Sequence, residues 1–305
     1  MRVAGIAPDR RRQAMAYLAL IAGAVGMGAS PVFVRLADVG PFASAFWRAF
    51  LALPFLWGWA RFEAAGRPGD PSRVAPIVIL AGLFFTGDLL FWHLAIFGTT
   101  VANATFMATT APVWVALGAW LIFSQRIDTR TFVALVLCLL GGAALIRESY
   151  AFVPHRLSGD LYGLITALFF GAYTVAVGIA RTRCGAARLT FLVTAITAAC
   201  LLAIALAVEP RLMPRSIAGW GWLVALAMIS QVGGQGLFAV ALGTLPATFS
   251  SLVIFLEAIA AATFGWLVFD EALGLAQTLG GVLIVIGIFV ARPRAGAALS
   301  CRIGP

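Results

Sequence analysis

Apolar residues dominate ten long runs of the chain, and short polar connections separate one run from the next. A helix needs about 20 apolar residues to cross the hydrocarbon core of a bilayer, and most of the runs approach or exceed that length. The sequence therefore predicts an all-α integral membrane protein with ten transmembrane helices. We number the runs segments 1 to 10, and they cover residues 14–37, 41–60, 74–97, 99–123, 131–146, 159–180, 189–208, 217–242, 245–269 and 274–291.

The composition favours a membrane protein over a soluble one. Of the 305 residues, 62% are hydrophobic and 11% are charged, whereas a soluble domain is about half apolar and about a quarter charged. No connection between the segments is long enough to fold as a soluble domain, and residues 1–13 and 292–305 are short tails. Segment 1 is longer than the apolar core of a secretory signal, so we interpret it as an uncleaved span.

Positive charge predicts the orientation in the membrane. The formal net charge is +9, and all 21 basic residues are arginine. With the N-terminus inside, fifteen arginines fall in tails and connections on the inner side and four on the outer side. Because cytoplasmic loops carry an excess of basic residues, the sequence predicts a plasma (inner) membrane protein with both termini cytoplasmic. Because the arginines are distributed according to the side of the membrane, in the tails and short connections, we expect no nucleic-acid partner.

Several classes of chemistry find no support in the sequence. The four cysteines show no metal-ligand spacing and the chain has two histidines, so we expect no metal and no cofactor. A phosphate-binding GxxxxGK[ST] loop is absent, which argues against an ATP-driven pump. Asp88 follows a glycine, as in intramembrane aspartyl proteases, but no second aspartate lies at bilayer depth. We interpret the chain as a non-enzyme.

The chain contains a weak internal repeat. Residues 120–125 (WLIFSQ) recur as residues 266–271 (WLVFDE), a shift of 146 positions. The repeat divides the chain into a first half, 14–147, and a second half, 158–291, with five segments each. An odd number of crossings places the second copy upside down relative to the first, and two inverted halves are typical of secondary transporters.

A series of short motifs runs through residues 14–291 in a fixed order: Pro31, Phe46-Trp47-Arg48, residues 95–99, Ala111-Pro112-Val113 and Asp270-Glu271. In this order they resemble the drug/metabolite transporter superfamily, in the branch built from two EamA-type repeats. That family often has Glu at the ends of both segment 4 and segment 9, whereas the first position here is Gln125. The resemblance implies that segments 1–4 and 6–9 surround a central cavity, that segments 5 and 10 are peripheral, and that transport uses alternating access.

Ionisable side chains within a bilayer are rare and usually face the interior of the bundle. Arg48 in segment 2 and Asp88 in segment 3 have similar predicted depths and could form an ion pair. Such a pair either holds two helices in register or provides a site for an anionic substrate group or a proton, and the sequence leaves both open. Glu257, near the middle of segment 9, is a candidate proton site, a ligand for a substrate amine, or a neutral hydrogen-bonded carboxylic acid. We interpret His93 as an interfacial residue near the outer end of segment 3.

Uncharged polar and aromatic residues form stripes along several segments. Gln231 and Gln235 are one turn apart on segment 8, Asn103 is on segment 4, Trp92 shares a face with Asp88, and Tyr173 is on segment 6. Such stripes either join helices or line one cavity. With Arg48, Asp88 and Glu257, these residues are the candidates for substrate binding or coupling.

These patterns predict a secondary-active transporter that moves a small organic metabolite. Amino-acid-like solutes come first as substrates, export is the favoured direction, and protons are the candidate coupling ion. The protein would lie in the lipid bilayer as a monomer or homodimer. The alternative within transport is an exporter of drugs or cationic compounds, because Trp92 and Tyr173 suit a cation. Outside transport, the alternative is an intramembrane enzyme or a sensor.

Overall fold

The computed structural model describes residues 10–64, 75–124, 127–146, 157–269 and 274–293, and the regular secondary structure of these residues is helical. Most of the two predicted tails, and the motif positions Gln125, Asp270 and Glu271, lie outside this part of the chain. The α-helices are α1 (Arg10–Gly28), α2 (Ser30–Leu36), α3 (Pro41–Phe50), α4 (Leu53–Ala64), α5 (Ala75–Gly98), α6 (Val101–Thr109), α7 (Ala111–Phe123), α8 (Thr129–Ile146), α9 (Leu157–Ala180), α10 (Ala186–Val208), α11 (Ile217–Ala225), α12 (Gly236–Leu242), α13 (Ala247–Val253), α14 (Phe255–Phe269) and α15 (Leu275–Ala291), and a π-helical segment (Leu226–Gln235) joins α11 to α12.

Seven of the described helical stretches are long and apolar enough to cross a membrane. They correspond to segments 1, 3, 4, 6, 7, 8 and 9. Segments 5 and 10 correspond to the shorter apolar helices α8 and α15, and segment 2 is divided between α3 and α4. The structure therefore confirms an all-α, multi-pass membrane protein, and the count of ten crossings stays a prediction.

Four segments consist of two helices each: α1 and α2, α3 and α4, α6 and α7, and α13 and α14. In the first three pairs, the second helix carries a proline at its second residue, namely Pro31, Pro54 and Pro112. Proline has no backbone N–H and its ring clashes with the preceding turn, so a helix breaks in front of it. The break at Ile254, between α13 and α14, has no proline in the first turn that follows.

Helices from the two halves of the chain pack against each other. α5 packs along α9, α10 packs along α3 and α4, and α1 packs on the π-helical segment, α12 and α14. α8 and α15 pack on each other, and the apolar cluster that they share with residues such as Leu252 and Phe255 is separate from the main core. Segments 5 and 10 therefore lie beside the main bundle, as the family resemblance implies.

Two glutamates make equivalent contacts with helix N-termini, where unpaired N–H groups attract anions. Glu63, near the end of α4, accepts a hydrogen bond from the backbone N–H of Arg188 in the first turn of α10 (Oε2 to N, 3.1 Å). Glu209, directly after α10, accepts one from the backbone N–H of Phe42 in the first turn of α3 (Oε1 to N, 2.7 Å). Positions 63 and 209 differ by 146, and so do positions 42 and 188. The two halves thus exchange the same contact at the shift of the internal repeat.

The contact between α8 and α15 also recurs with its partners exchanged at a shift of 146 positions. The backbone at Gly280 lies against the carbonyl oxygen of Gly141, and a Cβ placed at Gly287 would lie 3.0 Å from the carbonyl oxygen of Ala134. Positions 141 and 287 differ by 146, as do 134 and 280. Small residues at these points allow the two backbones to approach closely.

Replacing Gly280 with alanine is expected to push α8 and α15 apart, because the added methyl group would overlap the backbone of α8 at Gly141. Overpacking of this kind costs about 1–3 kcal/mol of unfolding free energy. Gly281→Ala is the matched control, since a Cβ there meets only side-chain atoms of Ile259 at 3.9 Å. Thermal unfolding of the purified protein in detergent measures the difference. Equal melting temperatures for the two variants would contradict this packing.

Candidate functional site

A small cavity of about 30 Å³ lies inside the helix bundle. Its volume holds about two water molecules. Its walls come from segments 1 to 4, 6, 8 and 9, and the described residues of α8 and α15 contribute no part of them. The lining residues are Met27, Arg48, Asp88, Leu89, Trp92, Ala108, Thr166, Phe170, Gln235, Ile254 and Glu257.

Arg48 is the cation of this cavity. It lies in the last turn of α3 and is 4% exposed. Its Nε donates a hydrogen bond to Oε1 of Gln231 (3.2 Å), and its guanidinium carbon lies 5.5 Å from the centre of the Trp92 ring. Within the described residues this is the one hydrogen bond of the Arg48 side chain. A guanidinium has five N–H donors, so four are left for a group in the cavity.

Two carboxylates share the cavity with Arg48. Asp88 lies on the unbroken helix α5 and is 6% exposed, and Glu257 lies in the first turn of α14 and is partly exposed. Neither has a hydrogen-bond partner among the residues that the structure describes. Arg48 therefore bonds to Gln231 instead of forming the hydrogen-bonded pair with Asp88 that the two depths allow. The cavity keeps one cation and two acids available to a ligand.

The π-helical segment brings two amides to the site. Gln231 donates from Nε2 to Oγ1 of Thr194 on α10 (3.0 Å). Gln235 accepts a hydrogen bond from the Tyr173 hydroxyl (3.3 Å) and donates from Nε2 to the Met27 sulfur (3.2 Å). Single π-helical turns inside α-helices occur frequently at functional sites. Tyr173 and Gln231 thus lie immediately behind the cavity wall, and Gln235 forms part of it.

Three polar or sulfur-containing residues at the site were not among the sequence candidates, although Thr166 lies seven residues before the candidate Tyr173 on the same segment and was noted with it. Met27 and Thr166 line the cavity, and Thr194 holds Gln231. Thr166 is 1% exposed, and its Oγ1 is buried without a hydrogen-bond partner in the described residues. Threonine is common in membrane helices, where it usually bonds to the backbone of its own helix, and a threonine alone therefore gives no sequence signal.

The structure places Asn103 away from the cavity. Asn103 lies in the first turn of α6, whereas the cavity residue of this helix is Ala108. Its Nδ2 lies 3.4 Å from Oδ1 of Asp160, which also accepts a hydrogen bond from Thr99 (2.8 Å). Asn103 thus belongs to a contact between the start of α6 and the start of α9.

The interfacial interpretation of His93 was wrong. The side chain is 0% exposed, because α5 is surrounded by α9, α10 and α3. Its Nδ1 lies 2.7 Å from the carbonyl oxygen of Leu89, and its ring packs edge-on against Trp92. His93 therefore supports the wall of the cavity from behind.

The arrangement of one cation and two acids suits a ligand that carries a negative and a positive group. The planar edge of a guanidinium binds a carboxylate through two parallel hydrogen bonds. Asp88 and Glu257 can bind an ammonium group or a proton. A buried charge without a partner is costly, so this set of one cation and two acids favours a ligand that supplies complementary charges.

Comparisons with family models and with curated sequences relate this chain to transporters. The sequence model of the EamA-like transporter family matches residues 14–147 and residues 157–292. An uncharacterized transporter of Archaeoglobus fulgidus is 27% identical over 277 residues, which are 90% of this chain and 94% of that protein. The pseudopaline exporter CntI of Pseudomonas aeruginosa is 26% identical over 222 residues, 72% of this chain and 76% of the exporter. A crystal structure with 16% sequence identity superposes with a TM-score of 0.75 over 91% of this chain and 96% of its own, which shows a shared fold.

Proposed function

Since this chain belongs to the EamA-like transporter family, we propose that it is a secondary-active carrier that exports a small zwitterionic, amino-acid-like metabolite in exchange for protons. Transport of a small solute across a membrane follows from the family and from relatives named as transporters. The proposal adds the class of substrate, the direction and the coupling ion. A relative named as an exporter supports the direction.

One observation carries the substrate class: a single cavity contains the guanidinium of Arg48 and the carboxylates of Asp88 and Glu257. An amino acid presents a carboxylate and an ammonium group a few ångströms apart. Arg48 would bind the carboxylate through its N–H groups that have no partner in the described residues. The two acids would bind the ammonium group or, in its absence, a proton.

We also propose ten crossings in two inverted halves, with both termini in the cytoplasm. The paired contacts support this topology, because the contact of Glu63 with the N–H of Arg188 recurs as the contact of Glu209 with the N–H of Phe42, with the halves exchanged at a shift of 146 positions. A two-fold relation between halves of five crossings each requires an axis in the membrane plane. In this topology Glu63 lies at the cytoplasmic side and Glu209 at the outer side. The excess of arginine on one side supports the orientation.

The size of the cavity supports the proposal of alternating access. A volume of about 30 Å³ is too small for an organic solute and holds about two water molecules. The solute therefore enters only if helices move. The breaks that precede Pro31 and Pro112, and the break at Ile254, divide helices that line the cavity, and interrupted helices of this kind can bend at the break.

The second candidate is an exporter of organic cations. It is favoured by Trp92, by Phe170 and by the two acids, since aromatic faces and carboxylates attract cations. The guanidinium of Arg48 opposes it, because a like charge in the same cavity repels an organic cation.

Proteoliposomes with an acidic lumen test the proposal. We expect at least one of a panel of labelled amino acids to accumulate in the lumen, because protons that leave the lumen drive an exchanging solute toward the acidic side. Accumulation of organic amines without amino acids would favour the cation exporter. Liposomes that contain the Arg48→Gln variant are the matched control. If no amino acid moves faster than in that control, the substrate class is wrong.

A further inference from the structure

A line of buried hydrogen bonds connects three segments behind the cavity. Oγ1 of Thr194 on α10 accepts from Nε2 of Gln231 (3.0 Å), and Oε1 of Gln231 accepts from Nε of Arg48 on α3 (3.2 Å). Thr194 and Gln231 are 0% exposed. Neither of them lines the cavity, so both reach it only through Arg48.

Arg48 and Thr194 hold the two ends of the Gln231 amide. A glutamine side chain has a donor end and an acceptor end of nearly the same shape, and a guanidinium has only donors. The oxygen end therefore faces Arg48, and the NH₂ end donates to Oγ1 of Thr194. Without the Thr194 hydroxyl the amide loses the anchor of its far end, and its oxygen is held less firmly against Arg48.

Gln231 and Trp92 together fix the guanidinium. Gln231 holds the Nε side, and the Trp92 ring lies next to the guanidinium at 5.5 Å. The remaining edge of a guanidinium carries its two terminal nitrogens, which form the fork that binds a carboxylate. With one edge bonded and an aromatic ring beside the plane, the two terminal nitrogens are the part of the side chain left for a ligand in the cavity that Arg48 lines.

We propose that Thr194 and Gln231 are positioning residues that aim the Arg48 fork at the carboxylate of the substrate, an inference that rests on the proposed function. Thr194 lies 146 positions after Arg48, at the equivalent place in the second half of the chain. The repeat thus provides two equivalent positions, of which one carries the cation and the other anchors it. A substrate carboxylate is thereby bound on the α3 side of the cavity.

Transport kinetics of Thr194→Val test this role. The substitution keeps the shape of the side chain and removes the hydroxyl. We expect the KM for a transported amino acid to rise about fivefold, the value of one ordinary hydrogen bond, with little change in the maximal rate. The inhibition constant of the primary amine that lacks the carboxylate of that amino acid, added as a competitor, should stay unchanged. An equal change for both compounds, or for neither, would overturn the proposal.

Two further variants separate positioning from general damage to the fold. Thr194→Ser keeps the hydroxyl and is expected to restore the KM. Thr190→Val removes another buried hydroxyl one turn away, whose hydrogen bond goes to the carbonyl oxygen of Ala186 in the same helix (2.8 Å), and it should leave the KM unchanged. A KM that rises as much in Thr190→Val as in Thr194→Val would show that any loss of a hydroxyl in α10 has the same effect.

A second measurement needs no substrate. Nitrogen-15 NMR of arginine-labelled protein in nanodiscs follows the exchange of the Arg48 Nε–H with water, and Arg48→Lys assigns the signal. We expect Thr194→Val to accelerate this exchange about fivefold and Thr190→Val to leave it unchanged. If no amino acid is transported but the exchange changes as expected, the proposed function fails and the positioning stands. If the exchange is unaltered in Thr194→Val, the positioning fails whatever the transport assay shows.

Discussion

Arg48→Gln is expected to lower kcat/KM for a transported amino acid about a hundredfold. The variant loses the fork that binds the substrate carboxylate, and hydrogen bonds to charged groups contribute about 1.5–3 kcal/mol each. A loss of about 3 kcal/mol corresponds to about a hundredfold in binding. Proteoliposome uptake at several amino-acid concentrations measures this ratio.

Two further arginine variants make the result specific. Arg48→Lys keeps the positive charge but replaces the planar fork with a single ammonium group, so we expect a loss intermediate between wild type and Arg48→Gln. Arg61→Gln is the matched control, because Arg61 also lies over a tryptophan ring (Trp57, 4.9 Å) but is exposed. Arg61→Gln should transport at the rate of the wild type.

The competing explanation is that Arg48 serves only to hold α3 against α5. The double variant Arg48→Ala with Asp88→Ala tests it. Removal of one partner of a structural pair leaves the other charge buried without a counter-ion, whereas removal of both does not. If the double variant regains transport, the two residues are a structural pair and the substrate role of Arg48 is wrong. We expect the double variant to be as inactive as Arg48→Ala.

The broad fold could be predicted because lipid imposes a simple rule on the sequence. Every backbone group must be satisfied within a helix, so long apolar runs indicate helices directly. Segments 1 and 4 were predicted as single runs, although the breaks before Pro31 and Pro112 have a visible cause in the sequence, because proline lacks a backbone N–H. The break at Ile254 has no such signal, because the residues around it are apolar and form helices readily.

The charged part of the site was also accessible from the sequence. A charge such as Arg48 or Glu257 inside an apolar run is too costly to face lipid, and both line the same cavity. The π-helical segment could not be foreseen, because Gln231 and Gln235 have a spacing that also fits an α-helix. Asn103 is uncharged and near a helix end, so its position had no comparable energetic constraint, and it lies outside the cavity wall.

Glu257→Gln is expected to abolish the coupling of transport to a pH gradient. Glu257 is partly exposed and lies in the first turn of α14, three residues after the helix break at Ile254. Movement at this break would carry its carboxylate with α14, whereas Asp88 lies on an unbroken helix. We therefore expect the exchanged proton to bind to Glu257 and the substrate ammonium group to bind to Asp88.

The magnitude of this effect follows from the driving force. A gradient of one pH unit is worth about 1.36 kcal/mol per proton, so exchange of one proton for one solute sustains about a tenfold accumulation of the amino acid on the acidic side. In Glu257→Gln the neutral amide cannot release a proton, and the accumulation should fall to about onefold, the level without coupling. Exchange of labelled for unlabelled amino acid should continue, because the Arg48 fork is intact.

Asp88→Asn and Glu257→Asp complete the test of the proton site. Glu257→Asp keeps a titratable group and should keep uphill accumulation. Asp88→Asn should raise the KM for the amino acid, because the ammonium group loses its counter-ion, while the accumulation ratio at saturating substrate stays at the wild-type value. If Asp88→Asn abolishes accumulation and Glu257→Gln does not, the two roles are reversed. If neither variant changes the response to the pH gradient, protons are not the coupling ion.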